Sequence, residues 1–326
     1  MSNLFLFGQR INPHRNTEDV RWSVFVDQLT KSNFWSEPGS IDLFVDFRVT
    51  LRNLGRLLGK RGNRKMLVQV EPRSTNPFQY SPLIERLFDC LITERDHSHY
   101  SGAKVYWTPG YDFDLERPIN PTRRQKLGSL AGNKYSFVMG SQYRNRLIEL
   151  DKLQAAGVDA KMAGRGWSRN TWHSKGLETL ELLRCILSGA PRAPRAIRVA
   201  LKKGLKVHSM GEFDEPNDFW KDVECALVIE NEEGLVSEKI FDAVSAGCRV
   251  LYAGKRLEPS PHIFQLEHGN ISSEALSFIG AEVPLDRAEI RRQSMVPLRK
   301  VAPSIESGFA ELSSRVSEVS RNNESR

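Results

Sequence analysis

Short apolar segments alternate with amphipathic segments along the first half of the chain. Residues 41–47 (IDLFVDF) and 65–70 are apolar runs of strand length, and residues 49–59 place four leucines on one face of a helix. Further strands are predicted at 3–8, 89–93 and 103–107, and further helices at 17–29 and 82–88. Strands that alternate with helices are typical of an α/β layer built on a parallel sheet.

The same alternation resumes in the second half of the chain. A proline-rich and basic stretch from Pro109 to Lys126 separates the halves and predicts a linker. Beyond it, we predict strands at 135–140 and 159–163, helices at 144–156 and 177–187, and helical structure after residue 272. We therefore expect an N-terminal α/β domain at 1–125, a second α/β domain at 126–270, and a helical C-terminal segment at 271–326.

One stretch of the second half, Glu224 to Gly254, has an order of elements that suits ligand binding. An apolar strand at 225–229 leads through a polar loop to a helix that begins after Ser237, and a second strand follows Gly247. A helix that joins two parallel strands forms a crossover unit. Such units bind ligands at the carboxyl ends of their strands.

The residues around the start of that helix suit a phosphorylated sugar. Free N–H groups at a helix N-terminus favour a phosphate, and Lys239 in the first turn adds a full positive charge. Glu230 and Glu238 can accept hydrogen bonds from sugar hydroxyls. The alternative is a different α/β protein in which Glu238 and Lys239 form only a solvated helix start.

This window resembles the donor-binding signature of the fucosyltransferases of glycosyltransferase family 10. The match consists of Glu230-Asn231 at a strand end, Ser237-Glu238-Lys239 at the helix start, and an Ala-Gly pair and a short strand that close the unit. The resemblance implies a GT-B fold, in which two Rossmann-like α/β domains face a cleft. It also implies inverting, metal-independent transfer of fucose from GDP-fucose to a glycan hydroxyl, with no cofactor beyond the nucleotide sugar. Leu235 departs from the family, which commonly has an aromatic residue there, so a different nucleotide-sugar donor is the alternative.

The resemblance extends to residues outside the window. The family places an arginine against the diphosphate from a helix that follows a Ser-Asn turn, and Arg146 matches it best, with Arg144 as a close rival. The donor-binding set implied by the resemblance is Arg144, Arg146, Glu230, Asn231, Ser237, Glu238 and Lys239. The catalytic base of the family lies at the end of an N-domain strand and corresponds to Glu71, in the segment VEPRSTNP. A loop glutamate paired with Arg73 is the alternative interpretation of Glu71.

Charge and composition narrow the remaining possibilities. A net charge of +7 favours anionic partners, and the basic segment 192–206 is a candidate surface for a membrane or an acidic partner. A basic nucleic-acid-binding protein without catalysis is the alternative from another class, but no nucleic-acid-binding motif supports it and we expect no such partner. No apolar run reaches the roughly 20 residues of a membrane span. The four cysteines show no CxxC pairing that would suggest a metal site. We therefore expect a cytoplasmic enzyme without a metal, peripheral to a membrane if segment 192–206 binds one.

Overall fold

The chain divides into two compact units, each built on a five-stranded parallel sheet. The first unit comprises residues 1–110, 184–190 and 303–326, and the second comprises residues 111–183 and 191–302. The predicted α/β class with parallel sheets is confirmed, whereas the domain boundaries at 125 and 270 stay a prediction. The computed structural model describes residues 5–7, 41–59, 64–95, 100–116, 119, 125–132, 136–164, 175–190, 192, 210–211, 213, 216–267, 270–281 and 286–324.

The described strands and helices agree in most places with the hydrophobic pattern. The strands are β1 (Phe5–Phe7), β2 (Ile41–Val45), β3 (Arg64–Gln69), β4 (Cys90–Thr93), β5 (Ala103–Tyr106), β6 (Gln125–Leu130), β7 (Ala160–Ala163), β8 (Val223–Ile229), β9 (Arg249–Ala253) and β10 (Ile263–Gln265). The helices are α1 (Leu51–Gly59), α2 (Pro82–Glu85), α3 (Tyr143–Ala155), α4 (Lys175–Leu187), α5 (Pro216–Trp220), α6 (Glu238–Ser245), α7 (Ser273–Gly280), α8 (Arg287–Val301) and α9 (Ile305–Glu324). A short 3-10 turn covers Pro77–Tyr80.

The sheet of the first unit runs in chain order, β1-β2-β3-β4-β5, and every neighbouring pair is parallel. Each crossover is right-handed and moves to the next strand in the same direction, so the connections between the strands lie on one face of the sheet. On that face Phe44, Leu67 and Leu91 pack with Leu57 of α1. The opposite face needs a cover from elsewhere in the chain.

Helix α9, from the far end of the chain, covers this opposite face. Leu312 and Val316 are fully buried against Leu43, Met66 and Ile92, which alternate with the residues of the other face. The indole Nε1 of Trp107 donates to the carbonyl of Gly308 at 2.9 Å. Residues about 200 positions apart therefore share one core.

The sheet of the second unit has the order β7-β6-β8-β9-β10, and all its pairs are parallel. From β6 the chain moves to β7 on one side and later returns to β8 on the other. Helices α3 and α7 cover one face, and α5, α6 and α8 cover the other. The sheet is therefore doubly wound, with its topological switch point between β6 and β8.

The predicted strand at 135–140 is wrong. Of these residues, 136–140 form a loop with a single bridge at Val138, and the central strand is β6, which begins inside the predicted linker. Strand β6 lacks an apolar run because its middle residue is Gly128, where an added Cβ would lie 2.5 Å from Val223 and 2.9 Å from Phe219. The neighbouring elements supply the apolar groups that this strand does not.

The remaining predictions concern the helix at 17–29, the basic segment 192–206, the cysteines and a membrane-spanning helix. The helix predicted at 17–29 lies outside the described residues, and so does the basic segment 192–206 apart from Arg192. All four cysteines are free and buried. No described helix has both the length and the apolar character that crossing a bilayer requires.

Candidate functional site

Two loops meet at the switch point of the second sheet. One follows β6 and enters α3 through Ser141 and Gln142, and the other follows β8 and runs from Glu230 to Ser237. Ser141 and Glu232 form an antiparallel bridge, and the Gln142 amide donates to the carbonyl of Asn231 at 2.9 Å. In doubly wound sheets, ligands bind outside the carboxyl ends of the strands at such a point.

Arg146 ties helix α3 to the end of β8. Its side chain is 2% exposed, and its Nε and Nη2 both donate to the carbonyl of Ile229, with the Nε contact at 3.0 Å. Nη2 also donates to Oδ1 of Asn231 at 3.3 Å. Burial lowers the pKa of the guanidinium, and the nearby Tyr143 and Glu230 oppose that shift. Arg146 therefore shapes the loop, while its direct contact with a diphosphate stays a prediction.

Glu230 is a buried carboxylate at the centre of this arrangement. It is 1% exposed, and its Oε1 accepts a hydrogen bond from the backbone N–H of Ser237 at 3.0 Å. Burial raises its pKa, whereas Lys239, the Ser237 bond and Arg146 favour the charged form. Within the described part of the chain, Oε2 accepts no hydrogen bond. One oxygen thus fixes the loop, and the other makes no hydrogen bond with the described residues.

Gly254, at the end of β9, makes room for this buried carboxylate. A Cβ at Gly254 would lie 2.6 Å from Cγ of Glu230 and 2.6 Å from the carbonyl oxygen of Leu235. That same carbonyl accepts from Oη of Tyr252 at 2.9 Å and from the Lys255 amide at 2.7 Å. The loop after β8 is therefore held against the end of β9.

Three further oxygen atoms at the two loops are buried and make no hydrogen bond with the described residues. They are Oγ of Ser141, Oε1 of Gln142 and Oγ of Ser237. A buried polar atom without a partner is costly, so these atoms are candidates for contact with water or with a ligand. All three oxygens can accept hydrogen bonds from hydroxyl groups, and the two serine hydroxyls can also donate.

The same loops lead into two helix N-termini. Gln142 precedes α3 and Ser237 precedes α6, and neither side chain caps its helix. Lys239 is half-buried in the first turn of α6, next to the exposed Glu238. Arg144, the rival of Arg146, is half-buried in the first turn of α3. Positive charge and helix N-termini beside hydroxyl-accepting oxygens suit a phosphorylated sugar.

A cavity of about 850 Å³ lies at the neighbouring end of the sheet. Gln142 and Gly254 line it together with the loop residues 256–260 that connect β9 to β10. This volume falls in the range of small-molecule sites, roughly 300–1,000 Å³. None of the predicted donor-binding residues lines the cavity, but Gln142, Glu233 and Gly234 from the same two loops do.

Glu71, the predicted base, lies in the first unit, two residues after β3. The residue is half-buried, and its backbone is held by three hydrogen bonds. The amide donates to Oδ1 of Asp46 at 2.7 Å, and the carbonyl accepts from Gln79 at 2.8 Å and Tyr80 at 2.7 Å. The catalytic role of Glu71 stays a prediction.

From the sequence, Glu230, Asn231, Ser237 and Lys239 were expected to lie close together around one helix start. Two further residues of interest, Gly254 and Asp46, were not identified. Gly254 was expected only to close the unit. Asp46 was not singled out at all, although it follows the apolar run of β2 as Glu71 follows that of β3. An acidic residue near the end of a predicted strand is the signal that could have found it, since Asp46 lies within the run predicted at 41–47.

Comparison with known proteins gives a fold but no family. No family model matches the sequence, and no curated protein matches it. The solved structure of Anabaena Alr3699/HepE in complex with UDP and glucose has a TM-score of 0.50 and 11% identity, covering 95% of this chain and 84% of that one. A glycosyltransferase from Rickettsia africae ESF-5 has a TM-score of 0.46 and 11% identity, covering 96% of this chain and 84% of that one.

A third similar structure belongs to the GtfA/B complex. It has a TM-score of 0.42 and 10% identity, and the match covers 93% of this chain but 60% of that one. This chain therefore spans less than two thirds of that protein. The likeness to HepE establishes the fold: the chain has the GT-B type of α/β fold found in glycosyltransferases.

Proposed function

We propose that the chain is a glycosyltransferase that binds a nucleotide-sugar donor at the switch point of its second unit. The supporting observation is the group of acceptor oxygens around Glu230, beside two helix N-termini and Lys239. The sugar and ribose hydroxyls would donate to these oxygens. The diphosphate would lie against Lys239, which neutralises the charge that develops as this group departs.

The proposed reaction is inverting and needs no metal, and it transfers fucose from GDP-fucose to a glycan hydroxyl. The donor follows from the resemblance of the Glu230 to Gly254 window to family 10. A UDP-sugar is the second candidate donor, since HepE was solved with UDP and glucose. Leu235, where the family commonly has an aromatic residue, also favours testing both donors.

Thermal unfolding with GDP, UDP, ADP and CDP tests donor binding. A ligand that binds only the folded chain stabilises it by about 2.7 kcal/mol at a hundredfold excess over its Kd. We expect one of the four to raise the melting temperature, and the matching nucleotide sugar to be turned over in the presence of EDTA.

The variant Lys239→Met tests the diphosphate contact. We expect affinity for the nucleotide to fall by about tenfold or more, which corresponds to ~1.4 kcal/mol. Lys221→Met is the matched control, because Lys221 lies in the same unit and forms an exposed ion pair with Asp218 at 3.0 Å. The proposal is rejected if no nucleotide stabilises the protein, or if the two lysine variants bind it equally well.

A further inference from the structure

The loops after β2 and β3 place three charged side chains at one edge of the first sheet. Strands β2 and β3 are parallel neighbours, so their carboxyl ends lie at the same edge. Asp46 follows β2, and Glu71 and Arg73 follow β3. Ligands of open α/β sheets bind outside the carboxyl ends of the strands, so this edge is a candidate site that lies within the first unit.

Hydrogen bonds hold the loop after β3 in one conformation. The carbonyl of Glu71 accepts from Nε2 of Gln79 at 2.8 Å and from Oη of Tyr80 at 2.7 Å. Nδ2 of Asn76 donates to the carbonyl of Phe47 at 2.8 Å, which ties this loop to the segment after β2. A ligand that binds here therefore meets a backbone that is already ordered, and the entropy lost on binding is smaller.

Asp46 is fixed in orientation and has one carboxylate oxygen available. Its φ is 54°, and it is the one non-glycine residue in the described ranges with a positive φ, a conformation that its surroundings have to hold. Oδ1 accepts from the amides of Val70 at 2.9 Å and Glu71 at 2.7 Å, and from Nε2 of Gln79 at 3.3 Å. Oδ2 accepts no hydrogen bond from the residues that the structure describes. A hydroxyl group of a ligand can therefore donate to Oδ2.

Glu71 and Arg73 do not form the ion pair that their spacing in the sequence allowed. Both residues are half-buried. Among the described residues, neither the carboxylate of Glu71 nor the guanidinium of Arg73 has a hydrogen bond or an ion pair. Partial burial of an unpaired charge is unfavourable, and a ligand with complementary groups removes that cost.

The ring of Tyr80 orients the guanidinium of Arg73. Cζ of Arg73 lies 5.5 Å from the centre of this ring, and Cζ of Arg95, which follows β4, lies 5.6 Å from the same centre. The ring itself is buried, with its hydroxyl fixed on the carbonyl of Glu71. A guanidinium that lies over a ring keeps its N–H groups for other partners. Arg73 can therefore donate two parallel hydrogen bonds to an anionic group.

We propose that this edge of the first sheet binds an acidic sugar, in which an anionic group such as a carboxylate accompanies the hydroxyls. The anionic group accepts from Arg73, and the hydroxyls donate to Oδ2 of Asp46 and to the carboxylate of Glu71. A neutral sugar leaves Arg73 unpaired, and an anion without hydroxyls gives the two carboxylates no donor. The site goes beyond the proposed function and takes no residue from the donor site of the second unit.

The ionisation of Asp46 should make this binding depend on pH. Burial, with a smaller contribution from the charge of Glu71, raises the pKa of Asp46 to about 7, against the hydrogen bonds from Gln79 and the two amides. Glu71 is the charged group that acts on Asp46, and Arg73 and Arg95 are the cations at the same edge. A carboxylate accepts through both oxygens, whereas a protonated carboxyl group carries a hydrogen on one of them. We therefore expect affinity to fall as the pH drops below about 7.

Calorimetric titration of the full chain with glucuronate and galacturonate tests the site. Glucose and galactose are the neutral counterparts, and acetate is the anion alone. We expect at least one uronate to bind roughly tenfold more tightly than its neutral counterpart and than acetate. A uronate is fully ionised near neutral pH, so a change in its affinity there reports a group of the protein.

Three variants assign the groups of the ligand to residues. Arg73→Met should lower uronate affinity by about tenfold and leave the neutral sugars unaffected. Arg86→Met is the matched control and should bind every sugar as the wild type does, because Arg86 is exposed and lies before β4, on the side of the amino ends of the strands. Asp46→Asn tolerates a positive φ and should remove the pH dependence while keeping the preference for uronates. Melting temperatures show whether each variant folds.

The outcomes that would overturn the proposal do not involve nucleotides. It is rejected if neither uronate binds more tightly than its neutral counterpart and acetate. Equal uronate affinity in Arg73→Met and Arg86→Met also rejects it, since the anionic group then lies elsewhere. If folded Asp46→Asn keeps the pH dependence of the wild type, the contact with Asp46 is rejected.

Discussion

Arg146 shows how much of the candidate site depends on one buried side chain. The sequence placed this residue on a helix after a turn, which is correct. It could not show that the guanidinium is buried against the carbonyl of Ile229, because that contact joins residues 83 positions apart. The same holds for Asp46, whose φ of 54° is stabilised by hydrogen bonds from the amides of Val70 and Glu71, just after β3. At the residue scale, the local sequence identifies candidate functional side chains, and contacts with residues distant in sequence determine how those side chains are oriented.

Arg146→Met should destabilise the second unit. The substitution leaves the carbonyl of Ile229 without its buried donor and removes one of the positive charges near Glu230, so we expect the free energy of unfolding to fall by about 3 kcal/mol. Denaturant unfolding followed by fluorescence measures this change.

Arg292→Met is the control for Arg146→Met. The side chain of Arg292 is 74% exposed and paired with Glu289, so its loss should leave the free energy of unfolding almost unchanged. Equal losses in the two variants would contradict a structural role for Arg146.

At the scale of elements, helix α6 and the strands around it followed from sequence, but the loop before α6 did not. The apolar run at 225–229, Ser237 and Gly247 predicted the order of these elements. Gly247 has a φ of 71°, as a glycine after a helix should, whereas β8 begins two residues earlier than predicted, at Val223. The loop is shaped by Gly254, which lies beyond the helix and admits Glu230 beneath Leu235. Strand β6 was missed for a related reason, since Phe219 and Val223 fill the space above Gly128.

Gly254→Ala should disturb the loop after β8. The added methyl group would meet Oη of Tyr252 at 2.3 Å and Glu230 at 2.6 Å, so the carboxylate or the loop has to move. We expect a loss of about 1–3 kcal/mol in stability, and weaker nucleotide binding.

Gly280→Ala is the matched control for Gly254→Ala. Gly280 ends α7 and has no atom within 4 Å of an added Cβ, so the change should be neutral. Unfolding curves and nucleotide titrations of both variants are the measurement. Unchanged nucleotide affinity in Gly254→Ala would show that the loop does not contribute to binding.

At the scale of the whole molecule, the α/β class followed from the pattern, but the partner of the first sheet did not. Helix α9 was predicted to be helical and was assigned to a separate C-terminal segment. Its place in the first unit depends on Leu312 and Val316, whose spacing identifies a helix but not the surface that it covers. Because β1 to β5 lie in chain order, the connections between them cover only one face of the sheet, and the other face needs a further element to bury it.

Leu312→Ala should weaken the first unit selectively. Leu312 is fully buried between α9 and the sheet, and truncation of such a leucine costs about 2–5 kcal/mol. Hydrogen exchange should show lost protection in β2 to β5 and little change in β6 to β10. Leu83→Ala, at a side chain that is 74% exposed, is the control and should change neither sheet. Loss of protection confined to the second sheet would contradict this assignment.

The position of α9 in the chain also bears on biosynthesis. A ribosome makes the strands of the first sheet before the second unit, and α9 after it. Domains generally complete their folding as they leave the ribosome, N-terminal part first. Here we expect the reverse order, because one apolar face of the first sheet stays uncovered until α9 has been translated. We expect the second unit to complete its core first, and the uncovered face to be open to aggregation until then.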